Sequence, residues 1–287
     1  MTDLEDAENI DEVMQPPTDL EPPSPFHRVT LPNGETRQVP SDITISVPRQ
    51  KDVSVARRHL LAYVPWDEQY LMLIPEEYRA FFSFVRPHLS VRTTNVHTAI
   101  SISYLPELMA SLGEPASPRV MYLATILHDC GWSMLSPGDI ADSLDYEGIA
   151  YTQPAAEAKF KHTLYGSSLA YKLLEHYFPQ RQLALGEKML IADIVRYHQH
   201  PAQYRATEPM PLELVLTCEA DRLWPFTREN FWLDTIRKGV QPHEYLETIT
   251  AEIDSILLTD AGRGIARRLV AERQSELEHS PFHLAHA

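Results

Sequence analysis

From about residue 53 onward, apolar residues recur three and four positions apart, the spacing that gives a helix one buried face. Proline and glycine mark the joints. Pro75 precedes Glu76-Glu77 and opens a helix running to about Val85, Gly113 follows Leu112 as a stop, and Ser117-Pro118 supplies a cap and a first-turn proline. Further helices are predicted over roughly residues 154–178, 182–199, 210–224, 242–258 and 261–278. Before residue 53 the period changes to two. Residues 29–39 carry an Asn33-Gly34 hairpin signal, and residues 43–47 alternate like a strand. The pattern predicts one mostly helical domain with a short β region on its N-terminal side.

Charge alters this picture at one end only. Of the formal charge of −15 on 287 residues, eight acids and no bases fall in residues 1–26, beside five prolines. Such a segment cannot bury enough apolar surface to order itself and is expected to be a disordered acidic tail. The rest, with 32 acids against 25 bases, is only mildly acidic. That disfavours a broad footprint on duplex nucleic acid and leaves room for a small anionic ligand. Two cysteines, Cys130 and Cys218, and no charged-then-apolar opening segment point to a reduced, cytoplasmic protein. No apolar run reaches the roughly 20 residues of a membrane span.

Candidate chemistry gathers on the inward helix faces. His128-Asp129 ends the apolar run of residues 124–127. His97 shares a face with Ile100, Tyr104 and Leu108, and His162 with Tyr165, Gly166, Leu169 and Leu173. His198 extends the stripe of Ile191, Ile194 and Val195, and Asp221 follows Leu214 and Cys218. A single inward histidine is more often a hydrogen-bonded core residue than a ligand. Two inward carboxylates are harder to house without a cation. Imidazole and carboxylate together suit a divalent transition metal, and six ligands suit two ions better than one. His200 lies about 200° around the helix from His198 and cannot face the same site unless Pro201 ends the helix there.

In order and local context, His97, His128-Asp129, His162, His198 and Asp221 resemble the HD-domain superfamily of metal-dependent phosphohydrolases, over about residues 90–225. The resemblance implies an all-α, HD-domain-like helical bundle. The chain then divides into the tail (1–26), a β/helical extension (27–90), the metal-binding core (91–225) and C-terminal helices packed on it (226–287). The two extra histidines resemble the branch with a two-metal site. That branch implies His97, His128 and Asp221 on one ion, His162 and His198 on the other, and Asp129 bridging as the central catalytic residue. Iron or manganese fits the ligands best, with zinc, cobalt, nickel or magnesium also compatible.

The departures are informative. Several branches carry a charged residue three places after the aspartate of the His-Asp pair, and here that place is Trp132, a stacking contact to substrate or a core residue. The adjacent histidines and Gly-Tyr-Pro run of the cyclic-dinucleotide branch are missing. Lys161, His200 and Arg222 stand beside ligands and are the other candidate substrate contacts. The implied activity is hydrolysis of a small phosphorylated molecule or nucleotide by a metal-bound hydroxide. The same ligands would serve a diiron oxygenase cleaving a C–C or C–P bond, or a non-catalytic metal-binding regulator.

Overall fold

In the computed structural model the described residues are 25–31, 34–111, 116–144, 146–147, 150–179, 182–204 and 209–278. The expected acidic tail lies outside them except for residues 25 and 26, as do Asn33 of the hairpin and the Gly113 stop. Strands β1 (Phe26–Thr30) and β2 (Thr36–Pro40) pair antiparallel with Val29 opposite Arg37. Gly34 between them has φ of +87°, a conformation that glycine adopts without a Cβ penalty. The expected strand at 43–47 contributes a single bridge, Ser46 to Tyr63. Its alternation is satisfied another way: Ile43 and Ile45 bury their side chains in the main core without a strand ladder.

The helical half departs from expectation at its start. Residues 53–75 form two 3-10 segments, Val55–Leu61 and Glu68–Leu73, in place of continuous helix. Pro65 and Pro75 deny backbone donors there and bias the residues before them toward extended backbone. Helix α1 (Glu76–Leu89) then buries Phe81, Phe82, Val85 and Leu89, and α2 (Thr94–Ala110) is buried on every face over 94–102. This makes α2 the central rod. The Ser117 hydroxyl caps α3 (Pro118–Leu127), which leads into a 3-10 turn at Cys130–Met134 and the short α4 (Pro137–Asp142). After a two-residue ribbon, β3 (Tyr146–Glu147) and β4 (Ala150–Tyr151), come α5 (Gln153–Tyr177), α6 (Leu185–Tyr197) and α7 (Leu212–Arg222).

Three more helices close the chain: α8 (Arg228–Lys238), α9 (Pro242–Ile256) and α10 (Asp260–Glu278). The sequence pattern did not predict α8. Its buried face includes Asn230, Asp234 and Arg237, and these polar residues mask the apolar period. Asp234 and Arg237 are held inside by partners: Tyr245 donates its hydroxyl to Asp234, and Arg237 donates to the Ala62 carbonyl.

Five helices and a 3-10 turn converge around one point. Helix α2 packs on α3 and α7, α3 packs on α6 and α7, and α5 packs on α6 and on the 3-10 turn. At the last contact, a Cβ on Gly131 would overlap the His162 carbonyl, so only glycine lets that turn lie against α5. A second close approach ties the end of the chain to α7. The fully buried Glu219 carboxylate accepts hydrogen bonds from Leu258 N (2.6 Å), Thr259 N (3.2 Å) and Thr259 Oγ1 (2.6 Å), and it lies where a Cβ on Gly262 would be. Among the described residues no helix is long and apolar enough to cross a membrane.

Candidate metal centre

The first turn of α2 delivers His97, the last turn of α7 delivers Asp221, and the middle of α5 delivers His162. His128 and His198 stand at equivalent places, the C-terminal caps of α3 and α6. Carbonyls in the last turn of a helix lack intrahelical partners. Each cap histidine uses one of them: Nδ1 of His128 donates to Thr125 O (2.7 Å), and Nδ1 of His198 to Val195 O (2.8 Å). In the neutral ring this fixes the proton on Nδ1 and turns the Nε2 lone pair inward.

The six side chains meet around two carboxylates. Asp129 Oδ2 lies 3.1 Å from His97 Nδ1 and 3.5 Å from His128 Nε2, whereas Oδ1 lies 3.4 Å from His162 Nε2 and 3.7 Å from His198 Nε2. Asp221 Oδ1 lies 3.2 Å from His97 Nε2 and 3.6 Å from His128 Nε2. Two triads therefore have ligand atoms within 4.8 Å of one another, His97/His128/Asp129 and Asp129/His162/His198. Asp129 belongs to both.

Burial divides the cluster. His128, His162 and His198 are 0% exposed, whereas His97 keeps 7% and the Asp221 side chain 13%. Desolvation opposes charge on His97, His128, His162 and both carboxylates, and the partners decide the outcome. At His97 the adjacent Asp129 and Asp221 carboxylates overcome burial and raise the pKa; at His128 the same two carboxylates raise it to about 9. At His162 burial wins and the pKa falls to about 4. Burial also works against both carboxylates, yet His128 and its neighbours hold Asp129 and Asp221 well below the usual range.

The donor set fits divalent cations. Nε2 of His97, His128, His162 and His198 is buried with no hydrogen-bond partner among the described residues. Without metal, the two ionised carboxylates draw protons onto His97 and His128 and leave His162 buried with no hydrogen-bond partner among the described residues; divalent ions would displace those protons and take up the nitrogen lone pairs.

The other candidates have different surroundings. Lys161 pairs with Asp139 at 2.9 Å, Arg222 donates to the Ile256 carbonyl at 2.7 Å, and His200 is exposed. Trp132 is buried, stacks on His162 with ring centres 4.0 Å apart and 8° between planes, and donates Nε1–H to Asp129 Oδ1 at 3.0 Å. Cys130 and Cys218 are buried and donate to the Gly166 and His198 carbonyls.

Two residues at the cluster were not anticipated. Gln199 donates Nε2–H to Asp221 Oδ2 at 2.9 Å, and Trp224 stacks on His97 at 4.7 Å and 24°. A signal for Trp224 was present. Each carboxylate is followed three residues later by tryptophan, in Asp129-Cys-Gly-Trp132 and Asp221-Arg-Leu-Trp224, and each tryptophan lies on a histidine from another helix.

Fold and site together define an all-α protein with a buried His/Asp cluster able to hold divalent metal. The model of the HD domain matches residues 96–224, a little under half of the chain, and that stretch is similar to the HD-domain superfamily of metal-dependent phosphohydrolases. The match begins one residue before His97 and ends three after Asp221, enclosing the whole cluster. No curated protein and no solved structure matched the chain.

Proposed function

We propose that this chain is a metal-dependent phosphohydrolase that acts on a small phosphorylated molecule or nucleotide with two divalent ions, iron or manganese first among them. The observation that carries the reading is the sharing of Asp129 between two triads, with four orphaned histidine nitrogens around it and Asp221. His97, His128 and Asp221 would hold one ion and His162 and His198 the other, with Asp129 on both. Two bound divalent ions supply Lewis acidity toward a phosphoryl oxygen and acidify an attacking water.

The protein's own contribution is positioning and access. Thr125 O and Val195 O aim two histidines without using their inward nitrogens. Gln199 engages one oxygen of Asp221 and leaves the other facing His97 and His128. The residual exposure lies at His97, Asp129 and Asp221, so an anionic substrate would approach from that end. Lys161 and Arg222 are engaged elsewhere, which leaves phosphate charge chiefly to the ions.

The test is preparation with and without air, measurement of metal content, and assay of phosphate release from p-nitrophenyl phosphate with Mn²⁺. Two ions per chain and phosphate release abolished in Asp129→Ala are expected. Two irons with O₂ uptake on a polyol or phosphonate, and no phosphate release, would overturn the hydrolase reading in favour of oxygen chemistry.

A further inference from the structure

His128 and His198 are oriented by hydrogen bonds from Nδ1 to backbone carbonyls, but His162 is not. Its Nδ1 and Nε2 are both buried with no hydrogen-bond partner among the described residues, although it is 0% exposed and central to the cluster. What lies against it is Trp132, nearly coplanar at 4.0 Å. The same indole donates Nε1–H to Asp129 Oδ1, the oxygen that faces His162 and His198. One side chain thus touches two members of a single triad, one through its face and one through its edge.

The indole is itself held. Trp132 belongs to a small apolar cluster with Val53, Leu60, Leu61, Ile140 and Leu144, separate from the main core. Arg57 and Asp142, 2.6 Å apart, join the 3-10 segment Val55–Leu61 to α4 across that cluster. The Arg92 guanidinium carbon lies 5.2 Å from the Trp132 ring, and Nη1 donates to Ser143 Oγ. Arg92 has φ of +59°, the single positive-φ residue other than glycine among the described residues. Such backbone costs free energy and persists where its surroundings impose it.

We infer that Trp132 is a positioning residue for the Asp129/His162/His198 triad, supplying through stacking and one hydrogen bond the orientation that backbone carbonyls give His128 and His198. It fills the place where a charged residue would meet substrate and closes that end of the cluster. Substrate recognition then falls to the opposite end, at His97, Asp221 and Trp224. The inference rests on the metal-binding reading above and extends it to a residue outside the ligand set.

Trp132→Phe retains an aromatic face and deletes the N–H; Asp129→Asn retains the indole and removes the charged acceptor. In metal-free protein, the Trp132 indole N–H resonance, assigned by its loss in Trp132→Phe, should move upfield in Asp129→Asn. Zn²⁺ titration should give two ions per wild-type chain, with one bound about 10- to 100-fold more weakly in Trp132→Phe, the usual effect of losing an outer-layer partner.

An unmoved indole resonance together with wild-type Zn²⁺ affinities in Trp132→Phe would overturn the positioning role and leave the metal reading intact. A raised KM for p-nitrophenyl phosphate at unchanged Zn²⁺ affinity would make Trp132 a substrate contact and also overturn it. A wild-type chain taking up no Zn²⁺ would defeat the metal reading, and the positioning of ligands with it, even if the indole still responded to Asp129.

Discussion

The two ends of the His/Asp cluster solve the same problem in opposite ways. At the His97–Asp221 end the residues keep slight solvent contact, two carboxylates surround His97 and His128, and both imidazoles are driven toward the protonated form. At the His162 end the ring is sealed beneath Trp132, and burial drives it toward the neutral form. An open end can exchange protons, water and substrate. A sealed end offers a preformed neutral ligand and gives up that exchange.

Removing the group common to both ends should have the largest effect. Asp129→Ala should abolish uptake of both ions, read by metal analysis. In metal-free protein it should cost about 4 kcal/mol in chemical denaturation, because His97 and His128 both lose one of the two carboxylates that hold their buried charge. Loss of one ion with retention of the other at full affinity would show that the two ends do not share Asp129.

Proton dependence should separate the ends next. The folded pKa of His128, about 9, exceeds its unfolded value, so its stabilisation is fully present below about pH 6.5 and lost as pH rises through 9. His162 has the opposite sign. Its pKa of about 4 means that stability falls as pH drops from 6.5 toward 4, where the unfolded chain takes up a proton that the folded ring refuses. Metal-free protein should therefore be most stable near pH 6.5, with up to about 3 kcal/mol lost on each side. Added metal should raise Tm more at pH 8.5 than at pH 6, since ions at the open end displace protons. A flat profile from pH 5 to 9 would contradict the contrast.

Gly131→Ala should act at the sealed end alone. Forcing the turn away from α5 should cost about 2 kcal/mol and weaken the ion at His162, with the ion at His97 little changed. Gln199→Ala, the mildest change, should weaken the ion at Asp221 by about 10-fold, measured by Zn²⁺ titration, and leave the sealed end unaltered.

The contrast also explains what could be read from the chain. Helix phase was enough to bring His97, His128, Asp129, His162, His198 and Asp221 to one place, since an inward stripe fixes direction once the bundle forms. Phase says nothing about what stands behind a ligand. Gln199 was hidden between two histidines that drew attention to themselves, and the Nδ1–H donors of His128 and His198 are answered by the Thr125 and Val195 carbonyls, backbone that carries no side-chain signal. Trp132 was legible as a departure, but its two contacts depend on how closely Gly131 lets the turn approach α5. In the fold, α8 was lost because its buried face is partly polar, and the 3-10 segments because proline spoils the helical period over residues 53–75.

Glu219 lies two residues before Asp221, and its carboxylate holds the backbone that starts α10. Opening α9 and α10 would strip that buried carboxylate of three donors at once, so the terminal helices and the Asp221-bearing helix should share one unfolding event. Hydrogen exchange in α10 would then slow on metal binding, and the far end of the chain would report occupancy of a centre it never touches.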